Sequence, residues 1–286
     1  MAITTRSACD AFGCFVEGVD IATAGPEEIK RCRELLFEHG ALFIRGQNLD
    51  PQAQIDFAQS LGEIVVNRFF TPVPGFPNVA QLITEPDQEW VIGENWHTDH
   101  SYDAAPALGS ILYAVEVPPK GGDTCFAGMQ AAYDAISPTL KERIDGLSAR
   151  HESAHIFAPS EQIRLGEAAD RNDEEYTKRA ASYPEAVHPV VLEHPETGRK
   201  GLYVNPEFTT AIIGLSKEDS DELLSTLFDH ILQPQFIFRY QWEPGSLAIW
   251  DNRSTWHRAM NDYRGQRREM RRITLEGVPL TQMAEA

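Results

Sequence analysis

The chain of 286 residues carries 43 acidic against 25 basic side chains, which gives a net charge of −18. A surface this acidic repels nucleic acid and anionic membranes, so we expect neither as a partner. The four cysteines have no paired CxxC spacing, which argues against a disulfide framework or a thiolate metal site. The N-terminus lacks a basic segment before an apolar stretch, and no run approaches the roughly 18 apolar residues of a membrane helix, so we expect a cytoplasmic protein.

We expect residues 1–286 to fold as one domain that begins with an α+β portion and continues in many short strands. A first helix is predicted from Pro26 to a cap at Gly40, a strand over 41–44, and a second helix from Pro51 to about Gly62. Apolar runs bounded by turn residues predict later strands at 109–117, 147–157, 187–193, 201–205, 235–242, 246–250 and 268–276, with a helix after Ser216.

The residues with the most chemical content are His97 and Asp99, separated by one threonine, and a distant His257. Two histidines and one carboxylate are the ligand set that holds non-haem Fe(II) and leaves other positions open. Alternate side chains of an extended strand share a face, so His97 and Asp99 can bind one ion from the same side. Arg268 and Arg272 follow His257, and each can clamp a carboxylate through two hydrogen bonds. The pattern therefore indicates a metal site beside a site for an acidic cosubstrate.

Five motifs in one order give the chain a family resemblance. They are Trp96-His97-Thr98-Asp99, Gly121-Gly122-Asp123-Thr124, His188-Pro189-Val190-Val191, Tyr203-Val204-Asn205 and Trp250-Asp251-Asn252-Arg253 with His257. In these the chain resembles the taurine dioxygenase and 2,4-dichlorophenoxyacetate dioxygenase family of Fe(II)/2-oxoglutarate-dependent enzymes. The resemblance implies a mainly β fold with flanking helices, a double-stranded β-helix or jelly roll of the cupin-like kind.

The resemblance also implies cofactors and a reaction. Fe(II) would be bound by His97, Asp99 and His257, and the distal carboxylate of the cosubstrate 2-oxoglutarate by Thr124 and Arg268. With O₂ as the second cosubstrate, the expected oxidoreductase reaction releases succinate and CO₂. Hydroxylation is expected because Asp99 retains the carboxylate that related halogenases replace with a small residue.

The implied substrate is a small organic acid, namely a sulfonate, a sulfate ester or an aryloxyalkanoate. Hydroxylation beside its sulfonate sulfur or ether oxygen would fragment it to an aldehyde or ketone. A more apolar pocket than in taurine-specific relatives, which have histidine and tyrosine at the positions of Asn67 and Phe70, favours a larger anion. The residues predicted to bind the substrate are Arg272 at the acidic group, and Asn67, Phe70, Asn95, Phe157 and Phe208. Family members often form dimers or tetramers, so a homo-oligomer is expected, and 159–184 is interpreted as an active-site lid.

Two other classes of protein remain open at this point. His151-Glu152-Ser153-Ala154-His155 satisfies the HExxH pattern, and a zinc-dependent hydrolase would need these residues on one helix. We instead predict a strand over 147–157 in which His151 and His155 are hydrogen-bonded structural residues. A non-catalytic jelly-roll binding protein is the third hypothesis, and it would need no carboxylate clamp.

Overall fold

The computed structural model describes residues 3–66, 70–157 and 183–280. The helices are α1 Pro26–His39, α2 Pro51–Leu61, α3 Met129–Ala135, α4 Pro138–Ile144, α5 Ala154–Phe157 and α6 Lys217–Ile231, with a 3₁₀ turn at Pro234–Phe236. The strands of the first half are β1 Thr4–Ser7, β2 Cys14–Glu17, β3 Ala41–Ile44, β4 Ile64–Val65, β5 Pro72–Val73, β6 Phe76–Thr84, β7 Gly109–Glu116 and β8 Thr124–Gly128. Those of the second half are β9 Ser148–Glu152, β10 Glu185–Pro189, β11 Val191–Glu193, β12 Lys200–Leu202, β13 Thr209–Ile212, β14 Ile237–Tyr240, β15 Leu247–Asp251, β16 Thr255–Ala259 and β17 Arg268–Leu275.

The described strands form one large sheet and three small ones. The large sheet has the order β1-β2-β3-β15-β7-β17-β6-β5, and β4 also pairs with β17. The small sheets are β14-β8-β16, β10-β9-β13 and β11-β12. Phe43 of β3 and Phe126 of β8 pack with their ring centroids 5.4 Å apart, so the large sheet and the β14-β8-β16 sheet share one core. This two-layered arrangement brings β16 and β17 to either side of the same interior.

Helices cover the outer faces of both layers. Pro26 at the first turn and Gly40 in the left-handed region (φ 77°) bound α1 where the sequence predicts it. Its apolar face joins α2 and the large sheet in one core through residues that include Leu35, Leu36 and Ile249. A second core lies between α3, α4, α6 and the smaller sheets. The central strands of both layers are therefore buried on both faces, which makes them rigid supports for side chains in the interior.

Several predicted elements differ from the structure, among them the strand over 201–205, of which only Lys200–Leu202 forms. The strand over 147–157 ends at Glu152, where its pairing with Glu185 of β10 ends, and α5 follows from Ala154. The strand over 187–193 divides at Val190, whose N–H donates to Leu147, so that β10 and β11 join different sheets. The strand over 235–242 begins only after the 3₁₀ turn. In the cases of 147–157 and 187–193, hydrogen bonds to residues distant in the sequence decide where the strand ends. The 3₁₀ turn is closed locally, because the Phe236 N–H donates to the Gln233 carbonyl.

Within the described part of the chain, every helix is too short or too polar to cross a lipid bilayer.

Candidate active site

A backbone bridge between two segments that are far apart in the sequence places the two histidines side by side. His97 lies outside the regular sheets in an isolated bridge with His257, each backbone N–H donating to the other's carbonyl at 3.1 and 3.0 Å. His257 is the central residue of β16, where it pairs with Phe126 of β8. The two imidazole centroids are 4.2 Å apart. Backbone pairing, rather than the continuous strand expected around Asp99, therefore fixes the two rings relative to each other.

Asp99 completes a cluster of metal-ligating atoms. Its Oδ1 lies 3.5 Å from His97 Nε2 and its Oδ2 lies 3.6 Å from His257 Nε2. One ligand atom from each of the three buried residues falls within 4.8 Å of the others. His97 Nδ1 donates to the Asn95 carbonyl at 2.9 Å, which leaves Nε2 free to bind a metal ion. Two imidazoles and a carboxylate on one side of an ion fit Fe(II) with open positions opposite.

A hydrogen-bond network orients the Asp99 carboxylate. Ser110 Oγ donates to Asp99 Oδ2 at 2.9 Å, and Arg272 Nη2 lies 2.5 Å from the same oxygen and 2.9 Å from Ser110 Oγ. Burial alone would raise the pKa of Asp99, but Arg272 and the two histidines outweigh it and hold this pKa well below its ordinary value. The carboxylate is therefore ionised, as a metal ligand must be.

Arg268 is a buried cation that has no ion-pair partner among the described residues. It is 8% exposed, its Nε makes no hydrogen bond, and burial lowers the pKa of its guanidinium. A Cβ on Gly122 would lie 3.3 Å from Arg268 Cδ, so a glycine there leaves the arginine side chain its space. An unpaired buried guanidinium is unfavourable unless an anion joins it. The site thus fits the carboxylate of a cosubstrate such as 2-oxoglutarate.

Thr124, the other residue predicted to contact the cosubstrate, lies buried at the start of β8. Its Oγ1 accepts a hydrogen bond of 3.0 Å from Trp242 Nε1. The hydroxyl proton of Thr124 stays free to donate, so the residue can still meet a carboxylate.

Only some of the residues predicted to bind the substrate lie near the metal-ligating residues. Phe208 meets the His97 ring edge-to-face, with the centroids 6.3 Å apart. Phe70 and Arg272 line one small cavity together with Val65, Pro72, Pro77, Asn78, Ala80 and Thr274. Asn95 is exposed at a bend rather than in a strand, and its carbonyl accepts a hydrogen bond from His97 Nδ1, so its contact with the substrate stays a prediction. Asn67, the Phe157 side chain and the 159–184 segment up to residue 182 lie outside the described residues.

Sequence reasoning missed two residues of this site. Ser110 connects Asp99 to Arg272, and its signal is a lone hydroxyl near the start of the apolar strand β7. Asn205 donates to Ser101 Oγ at 2.9 Å and so ties the turn after Asp99 to the β12–β13 connection. The sequence motif Tyr203-Val204-Asn205 indicated that Asn205 matters, but residue spacing could not show that Ser101 is its hydrogen-bond partner.

The HExxH pattern does not form a metal site. His151 lies in β9 and His155 in α5, so the two rings are not one helical turn apart on a single helix. His151 Nδ1 hydrogen bonds with Thr209 Oγ1, and His155 Nε2 donates to the Glu207 carbonyl. The zinc-dependent hydrolase hypothesis is therefore not supported, whereas the structural role predicted for both histidines agrees with these contacts.

A strand-rich double layer that holds two histidines, an aspartate and a buried unpaired arginine defines a class of enzyme, the non-haem iron dioxygenases that use 2-oxoglutarate. The model of the "Taurine catabolism dioxygenase TauD, TfdA family" matches residues 8–274, and the chain belongs to this family. The match confirms the class, which the family resemblance in the sequence had predicted.

The chain matches individual relatives over most of their lengths. The chain is 35% identical to an alpha-ketoglutarate-dependent sulfate ester dioxygenase of Pseudomonas putida, over 93% of this chain and 86% of that protein. It is 32% identical to an alpha-ketoglutarate-dependent 2,4-dichlorophenoxyacetate dioxygenase of Cupriavidus pinatubonensis, over 96% and 98%. The solved structure of AAD-2 in complex with Mn(II) and N-oxalylglycine superposes with a TM-score of 0.80 at 27% identity, covering 98% of this chain and all of that one.

These findings confirm the jelly-roll fold and the enzyme class. The protein is an oxidoreductase that depends on Fe(II), 2-oxoglutarate and O₂. They also disfavour the hypothesis of a non-catalytic binding protein, since the relatives are named as dioxygenases.

Proposed function

We propose that this dioxygenase hydroxylates a small organic anion with an apolar body, a sulfate ester or an aryloxyalkanoate, at the carbon that bears the ester or ether oxygen. The observation that carries the proposal is the position of Arg272. Its guanidinium lies beside the Asp99 carboxylate, and Arg272 borders a small space of about 10 Å³ that Phe70, Val65 and Pro72 also line. A cation at the metal site with apolar neighbours suits an acidic head group on a hydrophobic body.

The residues of the site have separate tasks in this proposal. His97, Asp99 and His257 would hold Fe(II), which supplies the activation of O₂ when it is bound. Arg268 and Thr124 would bind the distal carboxylate of 2-oxoglutarate and so orient its keto-acid end toward the metal site. Phe208, edge-on to His97, would exclude water from the reacting carbon.

These substrates differ from simple alkanes because their hydroxylated product breaks into two fragments. Hydroxylation places a hydroxyl on a carbon that already carries an oxygen substituent. The hydroxyl then loses its proton, the carbonyl forms, and the bond to the substituent oxygen breaks. Sulfate or a phenol leaves, and an aldehyde, ketone or oxo acid remains. The sulfate ester and phenoxyacetate relatives support this substrate class.

The test is succinate formation by anaerobically iron-loaded enzyme given 2-oxoglutarate and O₂, with alkyl sulfates, phenoxyalkanoates, sulfonates and the corresponding neutral alcohols and ethers. We expect turnover with a sulfate ester or an aryloxyalkanoate and none with neutral analogues, because a neutral compound gives no acceptor of matching charge to the buried Arg272 Nε, which has no hydrogen-bond partner in the described structure. Turnover of the neutral compounds alone would contradict the proposal. Turnover of sulfonates alone would keep the reaction but reject this substrate class.

Arg272 and its neighbour Arg271 form a matched pair for this assay. Arg271 lies on the opposite face of β17 and donates to the Leu49 carbonyl. We expect Arg272→Gln to raise the substrate KM by about 10-fold or more, as loss of a charged hydrogen bond does, with a smaller change for 2-oxoglutarate. Arg271→Gln should leave both KM values near wild type. Equal losses for both ligands in Arg272→Gln would reject its role at the substrate.

We further propose that the chain works as one domain in the cytoplasm and as a homo-oligomer, a dimer or tetramer. The four cysteines are free thiols, which suits a reducing compartment where no disulfide is needed. The family resemblance alone supports the oligomer. Light scattering of the purified enzyme tests it, and a monomeric mass would reject it.

A further inference from the structure

A partly exposed arginine of β14 ties together two segments beside the proposed cosubstrate site. Arg239 donates from Nε to Asp123 Oδ2 and from Nη2 to Asp262 Oδ2, each at 2.6 Å. Asp262 Oδ1 in turn accepts a hydrogen bond of 2.8 Å from the Gly122 N–H. Arg239 therefore joins the turn that precedes β8 to the connection between β16 and β17.

Asp123 is a buried carboxylate that depends on this arginine. Its side chain is 7% exposed, whereas that of Arg239 is 44% exposed. Within the described residues, the contact with Arg239 is the only ion pair of Asp123. A buried charge that loses its partner is strongly unfavourable, because water no longer compensates it. Without Arg239, the Asp123 carboxylate would have to bind a proton or pair with another cation.

Arg268 is a buried cation within the electrostatic reach of Asp123. Burial lowers the pKa of the Arg268 guanidinium, and the charges of Tyr263 and Asp123 oppose this by raising it. Arg268 nevertheless forms no ion pair in the described part of the chain, and its Nε has no hydrogen-bond partner. The attraction between the two side chains is therefore present in the folded protein, but no direct contact satisfies it.

The backbone places Asp123 between two residues of the proposed cosubstrate site. Gly122 precedes it, and a Cβ on this glycine would lie 3.3 Å from Arg268 Cδ, so the arginine packs against the turn. Thr124 follows it as the first residue of β8. A carboxylate at this position competes with the distal carboxylate of 2-oxoglutarate for the same guanidinium, unless another cation holds it elsewhere.

We propose that Arg239 keeps Arg268 available to 2-oxoglutarate by holding the Asp123 carboxylate away from it, an inference that rests on the role proposed above for Arg268. Arg239 is a positioning residue, since it acts through Asp123 and Arg268. Loss of the Arg239 guanidinium leaves Asp123 to pair with Arg268, and loss of the Asp123 charge as well releases Arg268 again. A purely mechanical role of Arg239 predicts no such recovery, because replacing Asp123 removes a further contact of the turn.

The test is isothermal titration calorimetry of N-oxalylglycine into Mn(II)-loaded protein, which measures binding without turnover. This ligand carries two carboxylates, as 2-oxoglutarate does. We expect Arg239→Gln to weaken its binding about 10-fold, as loss of a charged contact to Arg268 predicts. The double variant Arg239→Gln with Asp123→Asn should return to within about 3-fold of wild type. Mn(II) affinity, measured beforehand, should stay the same in all variants because none of them changes a metal-ligating residue.

Two further substitutions of arginines serve as controls. Arg239→Lys keeps a positive charge beside Asp123 and should weaken binding less than Arg239→Gln does. Arg267→Gln should bind N-oxalylglycine like wild type, because Arg267 also joins two carboxylates, those of Glu116 and Glu269, but neither lies in the turn before β8.

Arg268→Gln separates this inference from the proposal on which it rests. Unchanged binding in Arg268→Gln would reject the role of Arg268 and this inference with it. Weaker binding in Arg268→Gln but not in Arg239→Gln, or a double variant that binds no more tightly than Arg239→Gln, would overturn this inference alone. Should Arg239→Gln fail to fold, Asp123→Asn decides. It should bind N-oxalylglycine at least as tightly as wild type, and weaker binding would overturn the inference.

Discussion

Among the described residues two pairs of buried histidines lie close together, and only one pair has a carboxylate between its rings. His97 and His257 stand 4.2 Å apart with Asp99 within reach of both Nε2 atoms. The His151 and His188 rings meet edge-to-face with their centroids 5.3 Å apart, and both contact the Tyr203 ring. Within the described residues, only the first group forms a cluster that could hold a metal ion. Imidazoles alone do not define a metal centre here, because a charged ligand and an accessible lone pair are also needed.

The second histidine pair supports the loop that follows Asp99. Burial, followed by the neighbouring His188, lowers the pKa of His151 to about 3, so its ring is neutral. His188 Nε2 donates to the Asp103 carbonyl at 3.0 Å. Asp103 lies in the turn that follows Asp99, where His100 adopts a left-handed conformation with φ 56°. A neutral imidazole thus anchors the loop that presents the charged ligand.

The largest expected effect is a loss of Fe(II) affinity that occurs in the His97–Asp99–His257 cluster and not at the His151–His188 pair. Asp99→Ala removes the only carboxylate of the first cluster, so we expect Fe(II) affinity to fall by at least about 100-fold and succinate formation to reach background. His151→Gln should leave the number of bound ions unchanged. Anaerobic titration with Fe(II) measures both. Retained affinity in Asp99→Ala, or equal loss in both variants, would break the comparison.

The cosubstrate site should give the next largest effect. Arg268→Gln removes the buried cation without a partner, and we expect the KM for 2-oxoglutarate to rise about 10- to 100-fold, since charged hydrogen bonds contribute about 1.5–3 kcal/mol. Arg267→Gln is the matched control, because Arg267 pairs with Glu269 and other surface carboxylates. Steady-state succinate assays across 2-oxoglutarate concentrations decide. A similar KM in the two variants would reject this role for Arg268.

Replacing Ser110 tests whether a single hydroxyl group near Asp99 affects metal binding. Ser110→Ala removes the donor to Asp99, and we expect Fe(II) affinity to fall by about 10-fold, as for other residues that orient a metal ligand. Ser153→Ala removes a similarly buried hydroxyl that donates to Pro184. Both should lower the free energy of unfolding by about 1 kcal/mol. Only Ser110→Ala should change metal binding in the Fe(II) titration, and an equal change in Ser153→Ala would contradict this.

The smallest effect concerns pH. Because the pKa of His151 is about 3 in the folded protein, the unfolded chain binds a proton between about pH 6.5 and 3 that the folded chain does not. Stability therefore falls as pH decreases through this window, by at most about 1.4 kcal/mol per pH unit for this group. Urea unfolding at pH 7 and 5.5 should show a shallower dependence for His151→Gln than for wild type. Identical slopes would indicate that His151 is not protonated on unfolding.

The local chemistry of several elements could be read from the sequence. Pro26 and Gly40 bound α1 as predicted, since helix start and stop depend on residues within one turn. The alternation of side chains along a strand also holds in β17, where Arg272 faces the interior and Arg271 lies on the other side. It does not apply at Asn95, because a side chain follows this alternation only where a regular strand exists.

By itself the sequence determined the ligand types, the arginines, the family and hence the reaction class, because these depend on residue identity and order. The tertiary structure alone decided which histidines share a carboxylate, that Ser110 joins Asp99 to Arg272, and that His97 is fixed by a bridge to His257. These are contacts between residues far apart in the chain, and no local periodicity encodes a distance across a folded core.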